Sequence, residues 1–121
     1  MKFAGLFAAL KGLREFEKLH LPFLKSYLDF DIIIEIGLAQ ENKKNFTPKQ
    51  LFLLNIGSTT TVRRRLAMLT DKGVIRRHKN KHDHRSDVLT VAPSTLKLLE
   101  KYGTVLSAIS TSITSASLPI S

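Results

Sequence analysis

Three consecutive arginines follow three threonines in the stretch STTTVRRRL, residues 58–66, and these side chains are the first candidates for chemistry in the chain. Arginine can pair bidentately with guanine edges or with phosphates, and threonine hydroxyls can bind either. If the stretch is helical, its apolar residues from Val62 onward define one face. The opposite face then carries Thr60, Thr61, Arg63 and Arg64. This pattern favours a DNA-recognition helix, and the alternative is an ordinary solvated helix face.

A second group of basic residues lies between residues 74 and 87, in VIRRHK and NKHDHRS. The thirty residues 58–87 hold +6 of the total net charge of +9, and a patch of this density favours polyanions over simple solvation. The runs VIRRHK and DVLTVA resemble two short strands around a polar tip, which predicts a hairpin that can contact a DNA backbone and minor groove. Its candidate DNA-binding residues are Arg77, Lys79, Lys81 and Arg85.

The segment in front of the arginines has the signals of a short helix followed by a turn. Thr47 is a capping residue, Pro48 suits the first helical position, and Gln50 completes a capping box. A turn at 55–57 leads to a helix capped by Ser58 or Thr59, which Gly73 ends. These elements predict a helix-turn-helix with a wing over residues 46–92.

Helical periodicity also extends on both sides of this region. Apolar residues at spacings of three and four predict a first helix over residues 3–20 and a last helix over 93–113. A second helix is expected over about 27–41, with Ser26 as its N-cap and Asp29 as the returning carboxylate. Its isoleucine run is apolar nearly all round, which indicates a buried central helix or, alternatively, a buried strand.

The run STTTVRRRLAMLTDKGVIRRHKNKHDHRSDVLTV resembles the recognition helix and wing of the MarR (multiple antibiotic resistance regulator) type of winged-helix transcription factor. KGVIRR and the later D-x-R motif of Asp83 and Arg85 are similar to the family's wing. The resemblance implies that Arg85 contacts the minor groove and that Asp83 orients the wing. One departure is that Val91 and Ala92 stand before Pro93 where the family usually has Leu-Thr, which leaves Ala92 or Ser94 to cap the last helix.

The resemblance also implies that the two terminal helices of one subunit intertwine with those of another, so we expect a homodimer. The predicted dimerisation residues are Leu6, Leu10, Leu13, Leu99, Leu106 and Ile109. The alternative is that these apolar stripes pack within one monomer. We predict one domain, 1–121, that is mainly α with a small β-wing and a frayed tail over 114–121.

Other classes of function have little support in the sequence. The chain has no cysteine, so thiol chemistry is excluded, and the N-terminus lacks the length of apolar sequence for a membrane span. His78, His82, Asp83 and His84 include metal-ligand residue types but form no closed zinc set, so we predict no metal site and no cofactor. No catalytic constellation stands out, and we expect a cytoplasmic protein that is not an enzyme. A small aromatic effector is implied by the resemblance alone.

These observations predict a sequence-specific regulator of transcription, a repressor rather than an activator, that binds double-stranded DNA as a homodimer. The alternative is a winged-helix module with an architectural or assembly role, which binds nucleic acid without sequence preference or contacts an acidic partner.

Overall fold

The computed structural model describes residues 5–117, with side chains described for residues 5–111. Residues 3 and 4 of the predicted first helix, and residues 118–121 of the predicted tail, lie outside this part. The elements in chain order are α1 (Leu6–His20), α2 (Tyr27–Glu41), α3 (Pro48–Leu53), α4 (Thr59–Asp71), β1 (Ile75–Lys79), β2 (Asp87–Val91) and α5 (Pro93–Ser117). The prediction of a mainly helical chain with a two-stranded wing is therefore confirmed.

Backbone contacts divide the chain into two compact units, where the sequence predicted one domain. The terminal unit consists of the segments up to Pro22 and from Lys97 onward, and the winged-helix unit is Phe23–Leu96. None of the helices in the described part of the chain has the length and hydropathy needed to cross a bilayer.

The core of the winged-helix unit is formed by α2, α3, α4 and both strands. Its fully buried apolar side chains include Ile32, Ile33, Ile36, Leu51, Val62, Leu66, Leu69, Ile75, Leu89 and Val91. Helix α2 is indeed central, and the alternative of a strand at this position is wrong. Its burial is one-sided, because Ile34 and Leu38 are 52% and 49% exposed.

Local capping residues set the limits of the helix-turn-helix. Thr47 and Gln50 form the predicted capping box, with N–H to side-chain oxygen distances of 2.9 and 3.2 Å. Ser58, rather than Thr59, is the N-cap of α4, and its hydroxyl oxygen accepts the N–H of Thr61 at 3.2 Å. Gly73 follows α4 with φ of 74°, a left-handed conformation that favours glycine. These caps fix where α4 begins and ends.

The wing is an antiparallel pair in which Ile75 lies opposite Val91 and Arg77 lies opposite Leu89. Its base is tied to the rest of the unit at two points on β2. The N–H of Leu89 donates to the carbonyl oxygen of Phe46 at 2.8 Å, and the N–H of Val91 donates to the side chain of Gln40 at 2.9 Å. The base of the hairpin is therefore anchored, whereas its tip extends beyond these bonds.

The terminal unit contains α1 and most of α5, and its apolar side chains are less well covered. Helix α1 has no buried residue among those described, and Phe7 and Leu19 are 79% and 74% exposed. The phenol of Tyr102 donates to a carboxylate oxygen of Glu17 at 2.7 Å. Burial, together with this hydrogen bond, raises the pKa of Tyr102 to about 12.

Helix α5 begins at Pro93, directly after Ala92, and ends later than predicted. It continues to Ser117, four residues beyond the predicted end at residue 113, and the predicted fraying of the tail stays a prediction. The serine, threonine and alanine residues of this segment contain no helix breaker, which explains the extension; the next proline is residue 119.

Candidate nucleic-acid interface

The three consecutive arginines of α4 have three different surroundings. Arg65 turns towards α2, where its Nε and Nη2 donate to the two carboxylate oxygens of Asp29, each at 2.6 Å. The Asp29 side chain is fully buried and that of Arg65 is 17% exposed. Arg65 is therefore part of the internal structure of the unit, and it is not among the residues that the sequence predicted to bind DNA.

Asp29 also closes the N-terminal end of α2. Its Oδ2 accepts the N–H of Lys25 at 2.8 Å, and its own N–H donates to the hydroxyl of the N-cap Ser26. Burial raises the pKa of Asp29, but hydrogen bonds from Arg65 and from the backbone of Lys25 and Ser26 outweigh it and leave the pKa below its ordinary value. The carboxylate therefore stays ionised at neutral pH.

Arg63 is held on the other side of α4. Its guanidinium carbon lies 4.9 Å from the centroid of the Phe52 ring on α3, a cation-π geometry. This contact joins the two helices of the helix-turn-helix. Arg63 remains exposed at its outer edge, so the stacked guanidinium still has donors directed at solvent.

Arg64 and Thr60 are exposed on the outer face of α4, as their positions in the sequence predicted. Within the described residues, Arg64 has no hydrogen-bond or ion-pair partner. Thr61 is less available than predicted because its hydroxyl accepts a hydrogen bond from Ser58 at 2.9 Å as part of the cap. The four predicted helix residues thus separate into two that face solvent without a partner and two that have intramolecular partners.

On the wing, Arg77 and Lys79 share one carboxylate. The Nε of Arg77 lies 2.6 Å from Oδ2 of Asp87, and Nζ of Lys79 lies 3.3 Å from Oδ1. Hydrogen bonds from Arg77 and then from Lys79 hold the pKa of Asp87 below its ordinary value. Both cations were predicted to bind DNA, and both already have a partner in the free protein.

The tip of the wing carries two exposed cations, Lys81 and Arg85. Asp83 accepts the N–H of Arg85 at 3.0 Å and the N–H of Ser86 through its carbonyl oxygen at 3.1 Å, which folds the tip into a turn. The Arg85 side chain is 96% exposed and lies 3.7 Å from the Asp83 carboxylate. Lys81 is also exposed. The orienting role of Asp83 and the minor-groove contact of Arg85 both stay predictions.

The histidines of the wing form no metal-binding group among the described residues. In the part of the chain that the structure describes, no group of three or more His, Cys, Asp or Glu side chains is placed to hold a metal ion. His78 and His82 instead line a shallow concavity with Asn45, Lys79 and Lys81. Asn80 and the apolar Val88 complete its lining.

Sequence reasoning missed two carboxylates that organise the basic residues. Asp29 was interpreted only as a capping residue, and Asp87 was not singled out. A signal for Asp29 was present, because an acidic residue next to a nearly continuous isoleucine run needs a cationic partner if it is buried. The identity of that partner, 36 residues away, was not readable from the sequence.

Comparisons with solved structures show which fold this is. S. aureus MepR in complex with DNA is similar with a TM-score of 0.71 and 18% identity, over 91% of this chain and 82% of that one. The Thermotoga maritima transcriptional regulator Tm0710 gives a TM-score of 0.64 and 23% identity, over 84% and 68% of the two chains. A mutant of E. coli MarR complexed with operator DNA gives 0.56 and 16%, over 91% and 77%.

Protein-family models gave no match to the sequence, and neither did the curated proteins. The similarity therefore lies in the fold, which is the winged helix of MarR-type regulators. This confirms the fold class that the recognition helix and wing predicted.

Proposed function

We propose that this protein is a sequence-specific regulator of transcription that binds double-stranded DNA through the outer face of α4 and through its wing. The observation that carries the proposal is the exposed pair Thr60 and Arg64 on a helix whose neighbouring arginines are held by protein groups. A guanidinium on such a helix can donate two hydrogen bonds to a guanine edge in the major groove.

The wing supplies the second half of the proposed interface. Lys81 and Arg85 are exposed at its tip, and a hairpin of this kind can follow the DNA backbone into the adjacent minor groove. The similar structures include complexes with DNA, one of MepR and one of a MarR mutant with operator DNA, which supports the same class of ligand for this chain.

The terminal unit supports a homodimer. Leu10 and Leu106, both predicted as dimerisation residues, are 45% and 44% exposed, and Phe7, three residues before Leu10 on α1, is 79% exposed. Leu6, Leu13, Leu99 and Ile109 are only partly covered. An equivalent stripe on a second copy would bury these side chains, and a two-fold dimer would match a pseudo-palindromic site.

In this proposal the protein is a repressor that acts in the cytoplasm and not an enzyme. Its function needs no cofactor or metal ion. An aromatic effector, which the resemblance to MarR-type proteins implies, stays a prediction.

Selection from a pool of random duplexes with the purified protein tests the proposal. Two related half-sites about one helical turn apart are expected, since each copy of α4 would occupy one major groove. Enrichment without a common sequence would contradict the proposal and favour the architectural alternative, in which the basic surface binds any duplex.

Sedimentation equilibrium tests the dimer separately. The wild type should have twice the mass of the chain, and Leu10→Glu should shift it towards the monomer because a charge would enter the apolar interface. Lys11→Glu, on the neighbouring exposed position, is the matched control. A monomeric wild type, or an unchanged Leu10→Glu variant, would contradict the proposed interface.

A further inference from the structure

We propose that Arg65 is a positioning residue of the recognition helix: its forked pair with Asp29 fixes the rotation of α4 about its axis and thereby presents Arg64 to DNA. This inference rests on the proposed function and adds to it a residue that acts without touching DNA.

The geometry of the pair is suited to fixing a rotation. Apolar packing of Val62, Leu66 and Leu69 holds α4 against the core but is non-directional. The Arg65–Asp29 pair is directional, because two parallel N–H to oxygen bonds of 2.6 Å require the guanidinium and the carboxylate to be nearly coplanar. The two bonds therefore limit the range over which the helix can rotate while Arg65 keeps its partner.

Asp29 is itself fixed in place. The N–H of Lys25 donates to the same carboxylate at 2.8 Å, so the acceptor is anchored to the first turn of α2. No buried side-chain nitrogen or oxygen among the described residues lacks a hydrogen-bond partner, so the pair is complete as it stands. Rotation of the helix away from this acceptor would leave a buried carboxylate without its counter-charge, which is costly.

The neighbouring arginines show why this rotation matters. Successive residues of a helix are about 100° apart, so Arg64 is directed away from α2 when Arg65 is held against it. Arg63, on the other side of Arg64, stacks on Phe52 of α3. The helix is therefore held on both sides, and the one arginine between them faces outward.

If Arg65 positions the helix, its substitution should reduce base selectivity; if Arg65 contacts DNA directly, its substitution should reduce affinity for every duplex. Non-specific affinity depends on the number of cations near the phosphates, whereas base selectivity depends on where the Arg64 guanidinium lies. Arg65→Lys keeps the charge but cannot form the planar fork. The variant should bind a scrambled duplex as the wild type does, within about twofold, and should lose roughly tenfold of its preference for the selected duplex, the equivalent of one charge-assisted hydrogen bond.

The experiment is a fluorescence titration of the full chain with the selected duplex and with a scrambled duplex of equal length. It compares the wild type with Arg65→Lys and Asp29→Asn, and Lys72→Arg, at the exposed end of α4, is the control. Each variant is measured well below its thermal midpoint. Asp29→Asn keeps the shape of the acceptor and should lose selectivity in the same way.

The wild type supplies a readout that does not depend on a variant. In a nitrogen-15 spectrum, the Arg65 Nε–H should exchange slowly with water and should not shift when the selected duplex is added, whereas the Arg64 Nε–H should shift. Movement of the Arg65 signal with DNA would overturn the inference. So would an equal loss of affinity for both duplexes in Arg65→Lys, or unchanged selectivity in both variants. A wild type without selectivity would instead contradict the proposed function.

Discussion

Helix α4 and the wing are both basic, but their cations are held in different ways. On α4, each of the two arginines beside Arg64 has one separate partner, Asp29 or Phe52, and both partners lie on neighbouring helices. On the wing, Arg77 and Lys79 share Asp87 on the adjacent strand, and the cations at the tip are open to solvent.

In the proposed function, the way in which the cations are held decides which of the two surfaces can recognise a base sequence. Base readout needs donors placed to within a fraction of an ångström and is favoured by a rigid support. Phosphate contacts depend chiefly on the number of charges near the backbone, so a more open surface serves them well. In the proposed function, selectivity would come from α4 and general affinity from the wing.

The largest effect is expected from Asp29→Ala, which leaves the Arg65 guanidinium without its partner. We expect the free energy of unfolding to fall by about 3 kcal/mol, at the low end of the range for a broken buried pair because Arg65 is partly exposed. Urea denaturation followed by circular dichroism measures this. The control is Asp31→Ala, an exposed acidic residue on the same helix, which should change stability little. Equal effects of the two substitutions would show that the pair contributes nothing.

Arg64→Ala should come next, with a loss of about 1–3 kcal/mol of binding to the selected duplex and a relaxed base preference. Affinity for the scrambled duplex should fall much less, because only one cation is removed. Competition titrations with single-base variants of the site measure both quantities, and Lys72→Ala is the control for charge. If Arg64→Ala keeps the base preference, α4 does not read sequence through this residue.

Acid should weaken the ion pair between Asp29 and Arg65 that holds α4 against α2. The folded-state pKa of Asp29 lies below its ordinary value, so its stabilising contribution is present above an unfolded-state pKa of about 3.9 and is lost as the pH falls through the folded-state value. In that range the stability of the wild type should decline faster than that of Asp29→Asn, by up to about 1.4 kcal/mol per pH unit. The free energy of unfolding of both proteins is measured by urea denaturation between pH 5 and 2. If it falls equally in the wild type and in Asp29→Asn, ionised Asp29 does not stabilise the fold.

Lys81→Ala should act on every duplex alike. Loss of one phosphate contact reduces the slope of log affinity against log salt concentration by roughly 0.9 and leaves base preference unchanged. The same substitution at Lys11, on α1, should leave the slope as it is. A changed base preference in Lys81→Ala would give the wing a part in selectivity and would blur the division between the two surfaces.

The smallest effect is expected from Asp87→Asn, which should strengthen DNA binding rather than weaken it. Without the shared carboxylate charge, Arg77 and Lys79 are freer to approach phosphates, so affinity for all duplexes should rise a few-fold and the salt slope should steepen. Asp71→Asn is the matched control, because it removes one negative charge at the exposed end of α4 instead of on the wing. Weaker binding of Asp87→Asn would mean that the carboxylate orients the two cations for DNA rather than competing with it.

The parts of this architecture that depend on short-range signals could be predicted from the sequence. Ser26, Thr47 and Gly73 each mark a helix end because capping acts within a few residues, and the wing strands were predicted from two short runs on either side of a polar tip. Arg64 was placed correctly because helical geometry alone determines which face it occupies.

The parts that depend on tertiary contacts could not be predicted. The sequence does not show that Arg65 reaches a carboxylate on α2 or that Asp87 pairs with Arg77, since these partners are set by packing between elements. For the same reason the isoleucine run did not reveal that Ile34 would be exposed: composition gives hydrophobicity, whereas coverage depends on which neighbours surround the helix.

The measurement that tests the central claim most directly is the affinity of the wild type for a selected duplex and for a scrambled duplex of equal length, each at two salt concentrations. We predict a ratio of at least about a thousandfold, with both affinities falling as salt increases, because specific contacts add to a shared electrostatic contribution. Equal affinities that differ only with salt would contradict the account, and would show that the arginines of α4 and the wing together form a general surface for polyanions.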